Sequence, residues 1–171
     1  MACNLPVPAG IQEGGGKMNK KAIGDTAEHF VADYLSHLGY KCEIHPRTYK
    51  IIHLKGGKTI PVSQDNDYHN AFDVKAEGPD CMIYAQVKFM PDGTVSSGHI
   101  STAKETIDKN YPYDFVYQRI QVWQVWKEWV KSPHRHKEFR FRVWERHIND
   151  GSFIWKEINF NELLLKEVVN E

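Results

Sequence analysis

An α/β or α+β fold, with a central mixed β-sheet flanked by helices, is predicted by three features of the sequence. An amphipathic helix opens the ordered part, a set of short alternating runs follows, and a second helical stretch interrupts those runs. From Lys20 to Leu38 the apolar residues Ile23, Ala27, Phe30, Val31, Tyr34, Leu35 and Leu38 recur at spacings of three and four, one face of an α-helix, and Gly39 stands where a C-terminal cap belongs. KCEIH then alternates charged and apolar residues, and YKIIHLKGGKTIPV has the form of two strands around a Gly-Gly turn. SQDNDYHN is a polar loop. AFDVKAEGPDCMIYAQVKF, residues 71–89, gives two further strands around Glu77-Gly78-Pro79-Asp80. After the loop MPDGTVSSGH a short helix is expected from Ala103 to Lys109, with Thr102 and Glu105 as a capping box and Tyr111-Pro112 as its stop.

In DFVYQRIQVWQVWKEWV the first half alternates like a strand, while Val122, Val125, Trp126, Trp129 and Val130 have helical spacing. The expectation is a strand running into a helical or irregular turn. EFRFRVWER alternates cleanly, Asp150-Gly151 is a hairpin signal, SFIWKEI supplies the partner strand, and NELLLKEVV closes the chain as a helix with Asn161 as N-cap.

The chain's 171 residues suit one domain, placed at 19–171 behind a flexible leader at 1–18. The leader is interrupted by proline and glycine and has no basic start, unlike a signal peptide. A composition 41% hydrophobic and 26% charged is that of a soluble globular protein, and no apolar run approaches the roughly 20 residues needed to span a bilayer. Cys3, Cys42 and Cys81 are odd in number and form no C-x-x-C pair, which fits a reducing, cytoplasmic setting. Lys plus Arg and Asp plus Glu are equal at 22 each, so no global field draws the protein onto nucleic acid and any such binding must come from local patches.

The hairpin at 71–89 carries the candidate site. With its turn centred on Gly78-Pro79, antiparallel pairing sets Asp73 opposite Tyr84 and diagonal to Gln86. Val74 and Val87 then share the apolar face, and Asp73, Gln86 and Lys88 gather on the other. Diagonal neighbours lie about 7 to 8 Å apart, a gap that a hydrated Mg²⁺ can bridge.

Asp73 followed after thirteen positions by Gln86-Val87-Lys88 resembles the PD-(D/E)xK nuclease motif, and GDTAEHFVADYLSHLGYKCE resembles the first helix of that superfamily, with Glu28 as its glutamate. Mrr-type restriction endonucleases, with a Q-x-K form, and archaeal Holliday junction resolvases are the most similar branches; the resemblance covers residues 20–90. It implies a restriction-endonuclease-like sheet, a Mg²⁺ (or Mn²⁺) cofactor, DNA as partner, duplex or branched, and a homodimer. Carried over, Asp73 is the metal-bridging carboxylate, Gln86 a neutral oxygen ligand, Lys88 the group that orients the attacking water or stabilises the charged phosphorane, and Glu28 a further carboxylate. Glutamine in place of glutamate removes one negative charge, and Ala71-Phe72 stands where the family often has a proline. A lapsed site that still binds nucleic acid is the alternative.

GGKT at 56–59 lacks the first glycine of a Walker A loop, and DNDYHN at 65–70 lacks the glycine and glutamate of a calcium loop. Asp67 or His69 could edge the site. His134, His136 and His147 are candidates for a metal cluster or for phosphate contact. Between Lys127 and Arg146 the chain carries seven basic residues against three glutamates, a local positive excess that includes Lys131, Arg140, Arg142 and Arg146. Arg140, Arg142 and Arg146 share a strand face with Trp144, a pattern suited to phosphate contact and stacking.

Overall fold

The computed structural model describes residues 20–45, 48–64, 68–90, 97–131 and 135–159. It is an α+β arrangement of a mixed six-stranded sheet, a separate two-stranded hairpin and two helices. Helix α1 (Lys20–His37) leads into β1 (Lys41–Ile44), and β2 (Thr48–His53) with β3 (Thr59–Gln64) forms the separate hairpin. β4 (Val74–Glu77) and β5 (Met82–Phe89) follow, then α2 (Ser97–Asn110), β6 (Gln118–Val130), β7 (His136–Asn149) and β8 (Ser152–Ile158). The large sheet runs β1-β4-β5-β6-β7-β8, with β5 and β6 parallel and every other pair antiparallel. A parallel pair needs a long crossover, and α2 supplies it. The leader, Asp67, His134 and the C-terminal segment with Asn161 lie outside the described residues.

Helix α1 ends as its sequence predicts. Tyr40 N–H donates to Leu35 O at 3.1 Å and Gly39 N–H to Ser36 O at 3.0 Å, while Gly39 takes φ +91°, the left-handed conformation of a glycine cap. Its buried stripe of Ala27, Val31, Ala32 and Leu35 packs on Val74, Ala76, Ile83, Ala85 and Val87 and on Trp123 and Val125. Trp123 is wholly buried there, edge-on to Tyr34 at 5.8 Å and tilted against Phe141 at 5.0 Å. Its indole N–H donates to Gln121 Oε1 at 2.9 Å, Gln121 Nε2 donates to Glu145 at 2.7 Å, and Arg119 Nε donates to the same carboxylate at 2.8 Å. Burial works against the Arg119 charge, but Glu145 beside it prevails and holds the guanidinium pKa above its ordinary value. On the opposite face α2 lays Ile100, Ala103 and Ile107 over Tyr84, Ile120 and Val122.

Three expectations are corrected. β6 is one continuous thirteen-residue strand with no helical turn, because residues 120–125 are buried on both faces and the alternation that marks a strand is lost. α2 begins at Ser97, so Thr102 is inside the helix and is no cap; its carbonyl accepts from Thr106 Oγ1. The β4–β5 loop spans residues 78–81, closed by Gly78 N–H donating to Cys81 O at 2.9 Å, and this slides the register by two residues from the expected one. Val74 pairs with Ala85, and Asp73 falls opposite Gln86. A two-residue shift keeps every side chain on its predicted face. Phe72 is the exception, since it leaves the face of Val74 to pack with Tyr84 and Tyr111 under α2.

Candidate functional site

Asp73 stands one residue before β4 begins, and its carboxylate does the work of a strand acceptor. Oδ2 accepts from Val87 N–H at 2.7 Å and from Gln86 Nε2 at 2.5 Å, while the Asp73 N–H donates to Ala85 O and its carbonyl accepts from His45 N–H. One residue therefore ties β5 to the entry of β4 and to the end of β1. Gln86 is buried, 6% exposed, and Lys88, part-buried, follows it on the same face. Among the described residues Lys88 makes no ion pair.

Glu28 lies on the helix against the opposite face, in the part-buried stripe that continues to Val31, Ala32 and Leu35. The structure thus brings Asp73, Gln86 and Lys88 together on one face and leaves Glu28 on the helix packed against the other. Among the described residues no group of three or more His, Cys, Asp or Glu is arranged to hold a metal ion. The donors at the site are carboxylate and amide oxygens, the hard ligands that suit Mg²⁺, an ion that keeps several waters and needs only one or two protein carboxylates.

Lys88 pairs in register with Gln124 on β6, and Gln124 with Arg142 on β7. Adjacent paired residues share a face, so Arg140, Arg142, Trp144 and Arg146 lie on the same side of the sheet as Gln86 and Lys88. The arginines differ in freedom. Arg140, exposed, pairs with Glu128 at 3.2 Å and Glu138 at 3.3 Å, and Arg142 makes a 3.6 Å pair with Glu157. Arg146 is corrected from ligand contact to framework. Its side chain is buried, donates to Tyr111 O and Tyr113 O, contacts Asp108 at 3.3 Å and stacks over Phe153 at 4.0 Å. Burial pulls its pKa below the ordinary arginine value, against the opposing effect of Asp108. Arg146→Met is therefore expected to lower stability by about 2–4 kcal/mol in urea unfolding while leaving any nucleic-acid affinity unchanged.

The proposed histidine cluster does not form among the described residues. His136 and His147 stand eleven residues apart on β7, about 36 Å along an extended strand, and each is beside a glutamate of its own strand. His69 is part of an aromatic group with Tyr111 at 4.8 Å and Tyr84 at 5.5 Å.

The β6–β7 hairpin outruns β5, whose register with β6 ends at Val125, and presents a basic aromatic arm. Towards its far end Trp129 is 53% exposed, with Arg135 4.5 Å and Lys137 5.0 Å from its ring centre, and Lys131, two residues on, is exposed. The sequence shows these cations as a local positive excess but does not single out Trp129 among them. Gln124 was missed as well; its signal was a glutamine inside the apolar run Val-Trp-Gln-Val-Trp. No family model, curated protein or solved structure matches the chain.

Proposed function

We propose that the chain is a metal-dependent DNA endonuclease with a restriction-endonuclease-like fold, hydrolysing a phosphodiester of duplex or branched DNA. The observation that carries this reading is the direct pairing of Asp73 with buried Gln86, with Lys88 next on the same face. A Mg²⁺ (or Mn²⁺) ion bound there supplies Lewis acidity and an activated water. Asp73 and Gln86 hold it through oxygen, the glutamine turning its amide so that Oε1 rather than Nε2 faces the ion. Lys88 sets a positive charge beside the phosphate as negative charge develops on its oxygens. The arm of Trp129, Lys131, Arg135 and Lys137 grips the backbone, and a homodimer presents two such sites to two strands.

Incubation of the protein with single-stranded, duplex and branched DNA, and with RNA, in Mg²⁺ or Mn²⁺ tests the reading. Cleavage of DNA that disappears in EDTA is expected, and no cleavage of any substrate would exclude it. For the arm, replacing both Lys131 and Arg135 by alanine is expected to lower DNA affinity and reduce the slope of log affinity against log salt by about 2, measured by fluorescence anisotropy across a salt series.

A second reading is a nucleic-acid-binding protein whose cutting site has lapsed. It is favoured by the neutral Gln86 and by the protein donors already on Asp73 Oδ2. It predicts salt-sensitive binding that survives Asp73→Ala and weakens when Arg140 and Arg142 are replaced.

A further inference from the structure

Two glutamines on β6 are fully buried, and the fold treats them oppositely. Gln121 has both ends of its amide engaged, with Nε2 on Glu145 and Oε1 receiving the Trp123 indole N–H. Gln124, three residues on and facing α2, is 0% exposed, and neither its Nε2 nor its Oε1 has a hydrogen-bonding partner among the described residues. A buried amide left in that condition weakens the folded state, and an apolar side chain of similar volume would fill the position without that cost. Its surroundings indicate what the amide serves. Lys88 on β5 and Arg142 on β7 are its register partners, each one strand spacing of about 4.8 Å away, and Gln86 is its diagonal neighbour. Of the two flanking cations Arg142 is exposed and Lys88 part-buried. Lys88 makes no ion pair among the described residues, and the 3.6 Å pair of Arg142 with Glu157 joins two half-exposed side chains, so Arg142 can swing aside at little cost and Lys88 is held by no opposing charge.

We propose that the Gln124 amide is a phosphoryl-oxygen subsite. Its Nε2 donates to a non-bridging oxygen of a nucleic-acid phosphate, while Oε1 accepts from Lys88 or Arg142 and holds that cation against the same anion. This rests on the reading of the face as a nucleic-acid site, and it adds a neutral donor between two cations, beside the Asp73–Gln86 pair.

The test compares the parent protein with Gln124→Met and Arg142→Gln, using a short fluorescein-labelled duplex in EDTA for anisotropy, thermal melting of the free proteins, and cleavage in Mn²⁺ on the same preparations. Gln124→Met is expected to melt higher by about 3 °C, having lost the unsatisfied amide, and to bind the duplex about tenfold more weakly. Arg142→Gln, a change at an exposed residue, is expected to fold as the parent does, to bind more weakly and to lower the salt slope by about 1. A Gln124→Met protein that binds as tightly as the parent overturns the subsite, as does a parent that does not bind the duplex. If Gln124→Met fails to fold, unchanged binding by Arg142→Gln overturns it instead. Binding that depends on Gln124 without cleavage removes the hydrolytic reading alone, and cleavage with binding indifferent to Gln124 removes the subsite alone.

Discussion

Asp73→Asn is expected to fold normally and to lose Mn²⁺-supported DNA cleavage by about 10³-fold or more. The substitution separates two duties that the structure combines in one side chain. As a strand acceptor, Asp73 satisfies Val87 N–H and Gln86 Nε2. Asparagine keeps a carbonyl oxygen for the backbone amide, and Gln86 can turn its own amide to meet the new one, so the strand pair survives. As an ion ligand, asparagine lacks the negative charge that a divalent cation requires when its neighbour is already a neutral glutamine. Losing several kcal/mol of charge stabilisation at a phosphoryl centre corresponds to at least that factor in rate. Asp73→Ala is less informative. It removes the acceptor as well, and the two orphaned donors are expected to cost about 2–3 kcal/mol of stability. Circular dichroism melting beside single-turnover cleavage resolves the two effects; an Asp73→Asn protein that cuts at the parental rate would remove Asp73 from the chemistry.

Trp123→Ala is expected to destabilise the fold by about 3–5 kcal/mol, measured by urea unfolding. Against a total stability of about 5–15 kcal/mol this is a large fraction. The indole is wholly buried between α1 and the sheet, so truncation opens a cavity lined by Tyr34 and Phe141. It also strips the donor from Gln121 Oε1 and loosens the chain through Gln121 to Glu145 and Arg119. Trp123→Phe retains an aromatic ring but loses the N–H, and a cost of about 1–2 kcal/mol is expected. Equal losses for the two variants would show that the polar chain, and not the cavity, carries the effect.

The two halves of the sheet were unequally legible in the sequence. The first helix, the 71–89 hairpin and the β7–β8 hairpin each have one dominant period or a clear turn signal, and the structure has them where periodicity sets them. β6 escaped because its centre is buried on both faces: with Gln121 to Val125 buried in succession, no polar face marks period two. The hairpin register was off by two because Gly78-Pro79 resembles a tight turn, whereas the chain closes one residue pair wider, at Gly78 to Cys81. A Cβ at Gly78 would meet the Tyr40 ring at 2.6 Å, so the loop packs directly on a residue that precedes β1, a contact invisible locally. At the candidate site the grouping of Asp73, Gln86 and Lys88 followed from parity, which a two-residue slip preserves. The burial of Arg146 did not follow, since its partners Tyr111 O and Tyr113 O come from the segment after α2. Nor did the isolation of Gln124, which depends on what two neighbouring strands fail to offer it.

Whether the Asp73–Gln86 pair holds a divalent ion is tested directly by a crystal soaked in Mn²⁺, through the anomalous signal of the metal. The expected result is a peak within coordination distance of Asp73 Oδ1 or Oδ2 and Gln86 Oε1, with the glutamine amide turned from its present contact. A map without a peak there, with Gln86 Nε2 still donating to Asp73, would contradict it.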